Sequence, residues 1–168
     1  DGNGSNSGHV RIYENNNGTW TQIGSDIDGE SSSDYSGSSV SLSADGSVVA
    51  IGAYANDGGG GNSGHVRIYE NNNGTWTQIG SDIDGEGSSD YFGWSVSLSN
   101  DGSVVAIGAQ RDDGTSTDAG HVRVYENNNG TWTQIGSDID GESSSDYSGS
   151  AVSLSADGSV VALSLIHI

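Results

Sequence analysis

Acidic side chains recur in a fixed arrangement and are the residues best suited to chemistry in this sequence. Each group reads Asp-x-Asp-x-Glu, with a further Asp four residues later. Alternate carboxylates around a glycine supply the oxygen ligands that Ca²⁺ prefers. Their spacing differs from the twelve-residue calcium loop, so a solvated acidic loop is the preferred interpretation and a calcium site the alternative. The candidate ligands are Asp26, Asp28, Glu30, Asp82, Asp84, Glu86, Asp138, Asp140 and Glu142, and the groups end at Asp34, Asp90 and Asp146.

Histidines and glycine-rich segments are the other candidates for metal or ligand binding. His9, His65 and His121 each stand alone at the start of a predicted strand, which favours packing or a hydrogen bond over metal binding. The segments Asp57–Ser63 and Asp113–Ala119 differ in sequence within a uniform repeat. Loops of this kind hold ligands in many proteins, and they also vary freely when they only cover a surface.

No catalytic arrangement is recognisable. The sequence contains no G-x-S-x-G elbow, and its glycine runs lack the lysine and the helix of a phosphate-binding loop. The paired carboxylates are copied in every repeat, whereas a catalytic pair has one place in its site. We therefore expect a protein that is not an enzyme and has no cofactor, although a hydrolase elsewhere in a longer parent chain stays open.

Composition excludes several classes of partner. Four Lys and Arg residues stand against 23 Asp and Glu, which gives a net charge of −19. Such a surface repels phosphate backbones and anionic lipids, so we expect no nucleic-acid partner. No apolar run reaches the length of a transmembrane helix, and we expect no membrane insertion in this segment. Cysteine is absent, so disulfides cannot stabilise the fold.

One repeat explains the whole chain. The segment that begins Gly-His-Val at Gly8 returns at Gly64 and Gly120, which is a period of 56 residues. We expect an incomplete first unit, two complete units and an incomplete last unit. Their ranges are 1–35, 36–91, 92–147 and 148–168. The pattern stops after Ala162, where Ile-Gly-Ala would follow, and we expect the parent gene to continue with another unit.

Each unit reads as four short antiparallel strands. Within the predicted strands, apolar and polar residues alternate or all residues are apolar. The pairs Asp-Gly and Asn-Gly mark hairpin turns between the strands. No stretch has a helical period. The predicted strands of the second unit are Ser38–Ser43, Ser47–Ala53, His65–Glu70 and Thr75–Ile83, with turns at Asp45-Gly46 and Asn73-Gly74.

Four antiparallel strands per repeat are typical of a propeller blade. Blades stack face to face, so the inner strands must be apolar and slim, as the run Val48–Ala53 is. The sequence therefore predicts an all-β protein, a β-propeller fragment of about three four-stranded blades that forms an open arc. A β-solenoid is the alternative, but its parallel strands do not need hairpin turns.

The residues resemble a known family. The segments Phe92–Ser97 and Ala106–Gln110 are similar to the FG-GAP repeat, which builds the seven-bladed propeller of integrin α chains and recurs in bacterial surface proteins. The resemblance implies an extracellular or cell-surface location. It departs at Ser36 and Ser148, which replace the Phe, and at Tyr54, where the family has Pro.

The calcium loop of integrin-like blades does not carry over to this chain. The family's DxDxDG loop is reduced to turns such as Ala44-Asp45-Gly46. One carboxylate in a tight turn cannot supply the six to eight oxygens that calcium takes. Calcium thus has only the acidic groups between units as a candidate site.

The expected function is a non-catalytic binding or adhesion module with a protein or glycan ligand. The alternatives are a structural spacer without a specific ligand, or the propeller part of a larger hydrolase. Near-identical repeats favour the spacer, because a specific site needs asymmetric residues. Phe92, Trp94 and Arg111 are the main asymmetric side chains, and all three lie in one unit.

Overall fold

The chain folds into consecutive small antiparallel sheets. A computed structural model describes residues 3–165, in which every regular element is a β-strand. The sequence at Ile166–Ile168, where the repeat pattern is lost, lies outside the described residues. An N-terminal half-blade comes first and contains β1 (His9–Val10), β2 (Tyr13–Asn16), β3 (Thr19–Gln22) and β4 (Ile27–Asp28).

Two five-stranded blades and a C-terminal half-blade follow. The first blade contains β5 (Ser39–Leu42), β6 (Val48–Ala53), β7 (His65–Asn72), β8 (Thr75–Gln78) and β9 (Ile83–Asp84). The second blade contains β10 (Phe92–Leu98), β11 (Val104–Ala109), β12 (His121–Asn128), β13 (Thr131–Gln134) and β14 (Ile139–Asp140). The C-terminal half-blade contains β15 (Val152–Leu154) and β16 (Val161–Leu163).

The strands of each blade pair in chain order, as the sequence predicts, but the fourth strand is interrupted. In the first blade Tyr69 pairs with Gln78, whereas Val66 pairs with Ile83, so residues between the two pairs are looped out of the ladder. Gly80 lies in this loop with φ of 74°. The expected single strand Thr75–Ile83 is therefore two strands, β8 and β9, that both pair with β7.

The two hairpin turns of a blade differ in length. Asn73 and Gly74, with φ of 54° and 86°, form the predicted two-residue turn, which needs a left-handed backbone at both positions. The Asp45-Gly46 hairpin also forms, but its loop is longer because the last pair is Ser43 N–H to the Val48 carbonyl at 2.9 Å. The Asp45 carboxylate closes this loop by accepting the Ser47 N–H at 2.9 Å.

The hydrophobic core lies between blades, where the inner strands are covered on both sides. Val49 and Ile51 of β6 pack toward Ile12 and Ile27 of the N-terminal half-blade. On the other face Ala50 packs with Val105 and Ile107 of β11. Gly52 shows how close the sheets lie, since a Cβ there would be 2.1 Å from the Gly93 carbonyl oxygen. The apolar and slim inner strand that the sequence predicts is required by this stacking.

Serines of the innermost strands link neighbouring blades. Ser39 Oγ donates to the Gly93 carbonyl at 2.7 Å, and Leu98 N–H donates to Ser41 Oγ at 3.0 Å. The apolar residues of the same strand point the other way. Leu98 is buried against the first blade, whereas the equivalent Leu42 is 49% exposed, since the N-terminal half-blade has no inner strands in the described range.

Tryptophans connect the outer strands from blade to blade. The indole N–H of Trp76 donates to the Ile23 carbonyl, and that of Trp132 donates to the Ile79 carbonyl, both at 2.9 Å. The equivalent Trp20 is 65% exposed. Two antiparallel blades with a half-blade at either end confirm the predicted all-β propeller fragment.

Candidate functional site

The aspartates that begin the acidic groups hold the outer strands together. Asp82 Oδ1 accepts a hydrogen bond from Gln78 Nε2 at 2.6 Å, and Asp26 and Asp138 accept the same bond from Gln22 and Gln134 at 2.8 and 2.6 Å. Asp26 also accepts from Arg11 Nε at 3.0 Å. The hydrogen bonds from Gln22 and Arg11 lower the pKa of Asp26. These carboxylates therefore serve the fold of each unit.

Glutamates of the acidic groups reach into the next unit. Glu30 lies in the linker to the first blade and contacts Arg67 of β7 at 3.3 Å. In the next junction Arg123 Nη2 donates to Glu86 at 2.8 Å and to Asp138 at 2.7 Å. Burial opposes the charge of Arg123, but the hydrogen bonds to Asp138 and Glu86 outweigh it and raise the pKa. Arginine thus joins two consecutive acidic groups.

The grouping of possible metal ligands differs from the one that the sequence suggests. The sequence places Asp26, Asp28 and Glu30 in one set. The structure instead brings Glu30 within ligand distance of His65 and Asp82, with the three ligand atoms within 4.8 Å of one another. A second set, His121, Asp138 and Asp140, lies in the second blade and contains Asp140 in place of Glu86, the equivalent of Glu30. A calcium site in either place stays a prediction.

A cleft of about 390 Å³ contains the first of these groups. Glu30, His65, Asp82 and Asp84 line it together with the start of the glycine-rich loop at Asp57. Burial, followed by the charge of Arg67, lowers the pKa of His65, so this ring stays neutral near physiological pH. His65 Nδ1 lies 3.6 Å from Asp82 Oδ2, which is longer than a hydrogen bond, so the role expected for this histidine stays a prediction.

The aspartates that end the acidic groups are buried and cap turns. Asp34 accepts the Ser31 N–H at 3.0 Å and a hydrogen bond from Asn56 Nδ2 at 3.0 Å. Asp90 accepts the Gly87 N–H at 2.7 Å, and Asp146 accepts the Ser143 N–H at 2.7 Å. The capped turns set the direction in which the linker enters the next blade.

At the turn that Asp90 caps, the neighbouring side chain is a carboxyl group instead of the amide of Asn56. Asp112 occupies the place of Asn56 and bonds to Asp90, while His121 Nδ1 donates to Asp112 at 3.0 Å. Burial, together with the charge of Asp112 and its hydrogen bond, raises the pKa of Asp90. The hydrogen bond from His121 lowers the pKa of Asp112 to about 2. Asp112 is therefore the more acidic carboxyl of the pair, and Asp90 is the one that protonates more readily.

The glycine-rich loops have the same shape despite their different sequences. Asn62 N–H donates to Asp57 Oδ1, and Asp118 N–H donates to Asp113 Oδ1, both at 2.7 Å. Asn62 and Asp118 both have positive φ, at 54° and 51°. The first carboxylate of each loop is thus engaged by the loop's own backbone.

A cluster of exposed aromatic rings was not recognised from the sequence. We call it the aromatic face and define it as Tyr35, Tyr54, Tyr91 and Trp94. Tyr54 is central, with ring centroids 5.5 Å from Tyr35, 5.3 Å from Tyr91 and 5.0 Å from Trp94. Burial, followed by the charges of Tyr35 and Tyr91, raises the pKa of Tyr54. The Arg111 guanidinium lies 5.0 Å above the Tyr91 ring.

Backbone conformation directs the tyrosines to this face. Tyr35 and Tyr91 have φ of 54° and 59°, which is rare for an aromatic residue. Hydrogen bonds on both sides hold this conformation in Tyr35, whose N–H donates to Asn6 at 3.0 Å and whose carbonyl accepts from Ser38 at 3.1 Å. The sequence contains one indication of this face: Trp94 and Arg111 differ from the residues at the equivalent positions of other units. Tyr54 differs from its equivalent in the same way.

Comparison with known proteins supports the repeat and the fold. Residues 81–125 match the sequence model of the FG-GAP repeat. This match confirms the resemblance deduced from Phe92–Ser97 and Ala106–Gln110. No curated protein sequence matches the chain significantly.

Solved structures similar to this chain share its fold at low sequence identity. One is a protein named as a provisional 6-phosphogluconolactonase from Bacteroides fragilis, with 16% identity and a TM-score of 0.57 over 96% of this chain. Another, from Bacteroides uniformis and named in the same way, has 13% identity and a TM-score of 0.60 over 94% of this chain. The chain spans 36% and 41% of these two proteins. The likeness supports a propeller architecture.

Proposed function

We propose that this chain is a non-catalytic binding and adhesion module that acts outside the cell or at the cell surface. The observation that carries the proposal is the aromatic face. In a nearly uniform repeat, Tyr54, Trp94 and Arg111 differ from their equivalents Gln110, Ser38 and Ala55, and they meet on one surface. Exposed asymmetric side chains on a rigid scaffold are typical of ligand recognition.

The repeated acidic groups support a structural role and not catalysis. Their carboxylates accept hydrogen bonds from Gln, Arg and backbone groups of the same or the neighbouring unit, as described for Asp82, Glu86 and Asp34. His121 lies beside Asp112, and a histidine next to a carboxylate can act as a general base in an enzyme. Its side chain, however, is only 2% exposed. A substrate on the surface would not reach it.

The extracellular location and the adhesion role rest on the FG-GAP resemblance. Residues 81–125 match a repeat that the resemblance associates with integrin α chains and bacterial surface proteins. The partner that we propose is a protein or a glycan. Across residues 3–165 no helix is both long and apolar enough to cross a bilayer.

A hydrolase is the second candidate function, because both structural neighbours are named as provisional 6-phosphogluconolactonases. The two proposals can be separated with the purified chain. We expect it to bind immobilised extracellular-matrix glycoproteins or a glycan array. In its presence 6-phosphogluconolactone should hydrolyse no faster than it does without a catalyst.

The matched variant is the double substitution Tyr54→Gln with Trp94→Ser, which installs the residues found in neighbouring units. It should abolish binding while the melting temperature changes little. Trp20→Ser, which removes an exposed tryptophan outside the aromatic face, is the control and should bind normally. Hydrolysis above background by the chain would overturn the non-catalytic proposal, and a complete lack of binding would favour a spacer.

A further inference from the structure

The aromatic face has the shape of a small-ligand site. A cleft of about 440 Å³ lies between Tyr35, Ser38 and Tyr54, with Asn6 on its wall. A second cleft of about 190 Å³ lies between Ser38, Tyr54 and Trp94. Ser38 and Tyr54 border both clefts, so the two clefts are adjacent, and we call them together the groove. The larger cleft is in the size range of small-molecule sites.

Charge distinguishes this groove from the other clefts of the chain. No residue that lines it is acidic or basic, although the chain has a net charge of −19. The clefts near the outer strands are lined by Asp82 and Asp84, and one of them also by Glu30. An uncharged lining in so acidic a protein complements an uncharged ligand, and the nearest cation described on this face, Arg111 above Tyr91, lies outside the lining of the groove.

The chemistry of the lining is that of carbohydrate recognition. Aromatic rings have a negative face, and the C–H groups on one side of a pyranose ring are weakly positive, so the two stack. Hydroxyl and amide side chains such as Ser38 and Asn6 can exchange hydrogen bonds with sugar hydroxyls without a charge penalty. Tyr35 stacks on Tyr54 and Trp94 stacks on Tyr91, but the two residues are still 42% and 37% exposed, so part of each side chain is open to a ligand.

We propose that the aromatic face binds a neutral oligosaccharide of pyranose units. Sugar rings stack on Tyr35 and Trp94, and Tyr54 separates the two positions as the shared wall of the groove. This inference rests on the proposed binding function and adds the class of ligand and the site.

The site is preorganised by the fold. The left-handed tyrosine backbone is fixed by hydrogen bonds at Tyr35, and the Trp94 N–H donates to the Tyr91 carbonyl at 3.1 Å in the same way. The rings then support one another, since Tyr35 and Tyr54 are nearly parallel, with an interplanar angle of 11°. A ligand therefore meets rings that are already placed, which lowers the entropic cost of binding.

The next junction along the chain provides a natural comparison. Gln110 replaces Tyr54 there, and Ser150 replaces Trp94. Ser150 Oγ donates to Gln110 Oε1 at 3.1 Å, so the two polar side chains satisfy each other. Tyr147 keeps the left-handed backbone, with φ of 50°. The fold thus accepts glutamine and serine at these positions, and substitutions to them test binding without breaking the blade.

The experiment titrates the whole chain with neutral hexasaccharides of glucose, mannose and N-acetylglucosamine, and with hexagalacturonate as the anionic probe. Isothermal calorimetry and tryptophan fluorescence follow binding. We expect at least one neutral hexasaccharide to bind with a dissociation constant below about 1 mM, and no binding of hexagalacturonate.

Four variants locate the site. Tyr54→Gln and Trp94→Ser should each weaken binding about tenfold or more, the loss expected when one aromatic stacking partner is removed. Trp94→Phe keeps an aromatic ring and should retain most of the affinity. Tyr147 has the same left-handed backbone conformation but lies outside the aromatic face. The Tyr147→Ala variant should therefore bind as the unmodified chain does.

Each contrary outcome has a distinct meaning. Binding that persists in both Tyr54→Gln and Trp94→Ser would overturn the site but leave the binding function. If the chain binds an immobilised glycoprotein after its glycans have been removed and binds no neutral hexasaccharide, the ligand class is wrong and the proposed function stands. If it binds neither, both proposals are overturned.

Discussion

The two junctions that flank the first blade are built from nearly the same repeated sequence. They differ in which hydrogen-bond partners their buried polar groups have. At the first junction, between the N-terminal half-blade and the first blade, Asn56 donates to the buried Asp34. At the second junction, between the two blades, Asp112 takes the place of Asn56 and is hydrogen-bonded to Asp90. His121 Nδ1 lies 3.0 Å from Asp112 Oδ1. The contact of a neutral amide with a carboxyl group at the first junction is thus replaced at the second junction by a pair of carboxyl groups, which can titrate.

The comparison teaches that a repeat copies geometry more faithfully than chemistry. The tryptophan contact is the same in both junctions, at 2.9 Å. The arginine contact is not, because Arg123 binds Glu86 at 2.8 Å, whereas Arg67 lies 3.3 Å from Glu30. The backbone positions these groups alike, and small differences in exposure and partner then decide how strong each contact is.

The largest effect is expected at the arginines. Arg123→Ala should lower the free energy of unfolding by about 3 kcal/mol, because it removes a buried guanidinium and its two hydrogen bonds to the carboxylates of Asp138 and Glu86. Arg67→Ala should cost about 2 kcal/mol, since the contact with Glu30 is longer. Urea denaturation measures both.

Arg11→Ala is the matched control for the arginine series. Arg11 is 48% exposed, and its ion pair with Asp26 is open to solvent, so we expect no measurable change. Equal losses in all three variants would contradict the view that burial sets the strength of these contacts.

The next effect tests the amide-to-acid difference directly. Asn56→Asp places a second carboxyl beside Asp34 without moving the backbone and should cost about 2 kcal/mol at pH 7. One carboxyl of the pair should then have a raised pKa, as Asp90 has beside Asp112. A raised folded-state pKa favours folding below the unfolded pKa of about 4 and opposes it as pH rises through the folded value.

The stability deficit of Asn56→Asp should therefore shrink as the pH falls from 7 toward 4. Asn62→Asp adds the same charge in an exposed loop where Asp118 is the natural equivalent, and it controls for net charge. A deficit that is constant with pH, or equal in the two variants, would show that the buried carboxyl pair is not its cause.

A smaller and equal effect is expected where the junctions are alike. Trp76→Phe and Trp132→Phe should each cost about 1 kcal/mol, because each removes one hydrogen bond between outer strands and keeps most of the ring packing. Trp20→Phe should leave stability unchanged, since Trp20 is 65% exposed. Unequal losses for Trp76 and Trp132 would indicate that the junctions differ in their outer strands as well.

The smallest effect concerns cations at the acidic groups. Salt at about 0.15 M should raise the melting temperature, because it screens exposed like charges over distances beyond roughly 8 Å. At matched ionic strength we expect calcium and magnesium to act alike at both junctions. A calcium-specific increase that disappears in Asp84→Asn would instead establish a calcium site in the cleft that Asp84 shares with Glu30 and His65.

The local structure of each blade could be predicted from the sequence. Hairpins join strands that are close along the chain, so an apolar run such as Val48–Ala53 and a turn such as Asn73-Gly74 already specify pairing partners. The period of 56 residues then implies that the same sheet forms repeatedly and stacks on its copies. Only the interruption at Gly80 escaped this reasoning, because β9 pairs with the distant start of β7.

Contacts between units were decided by the tertiary structure. A repeat states what each unit contains but not which residue of one unit meets which residue of the next. Glu30 therefore looked like a partner of Asp26 and Asp28, whereas stacking brings it to Arg67, His65 and Asp82. The aromatic face is assembled in the same way, from residues that precede, follow or lie within inner strands of two blades. Spacing along one chain cannot reveal such a site, because it depends on the distance and angle at which neighbouring sheets pack.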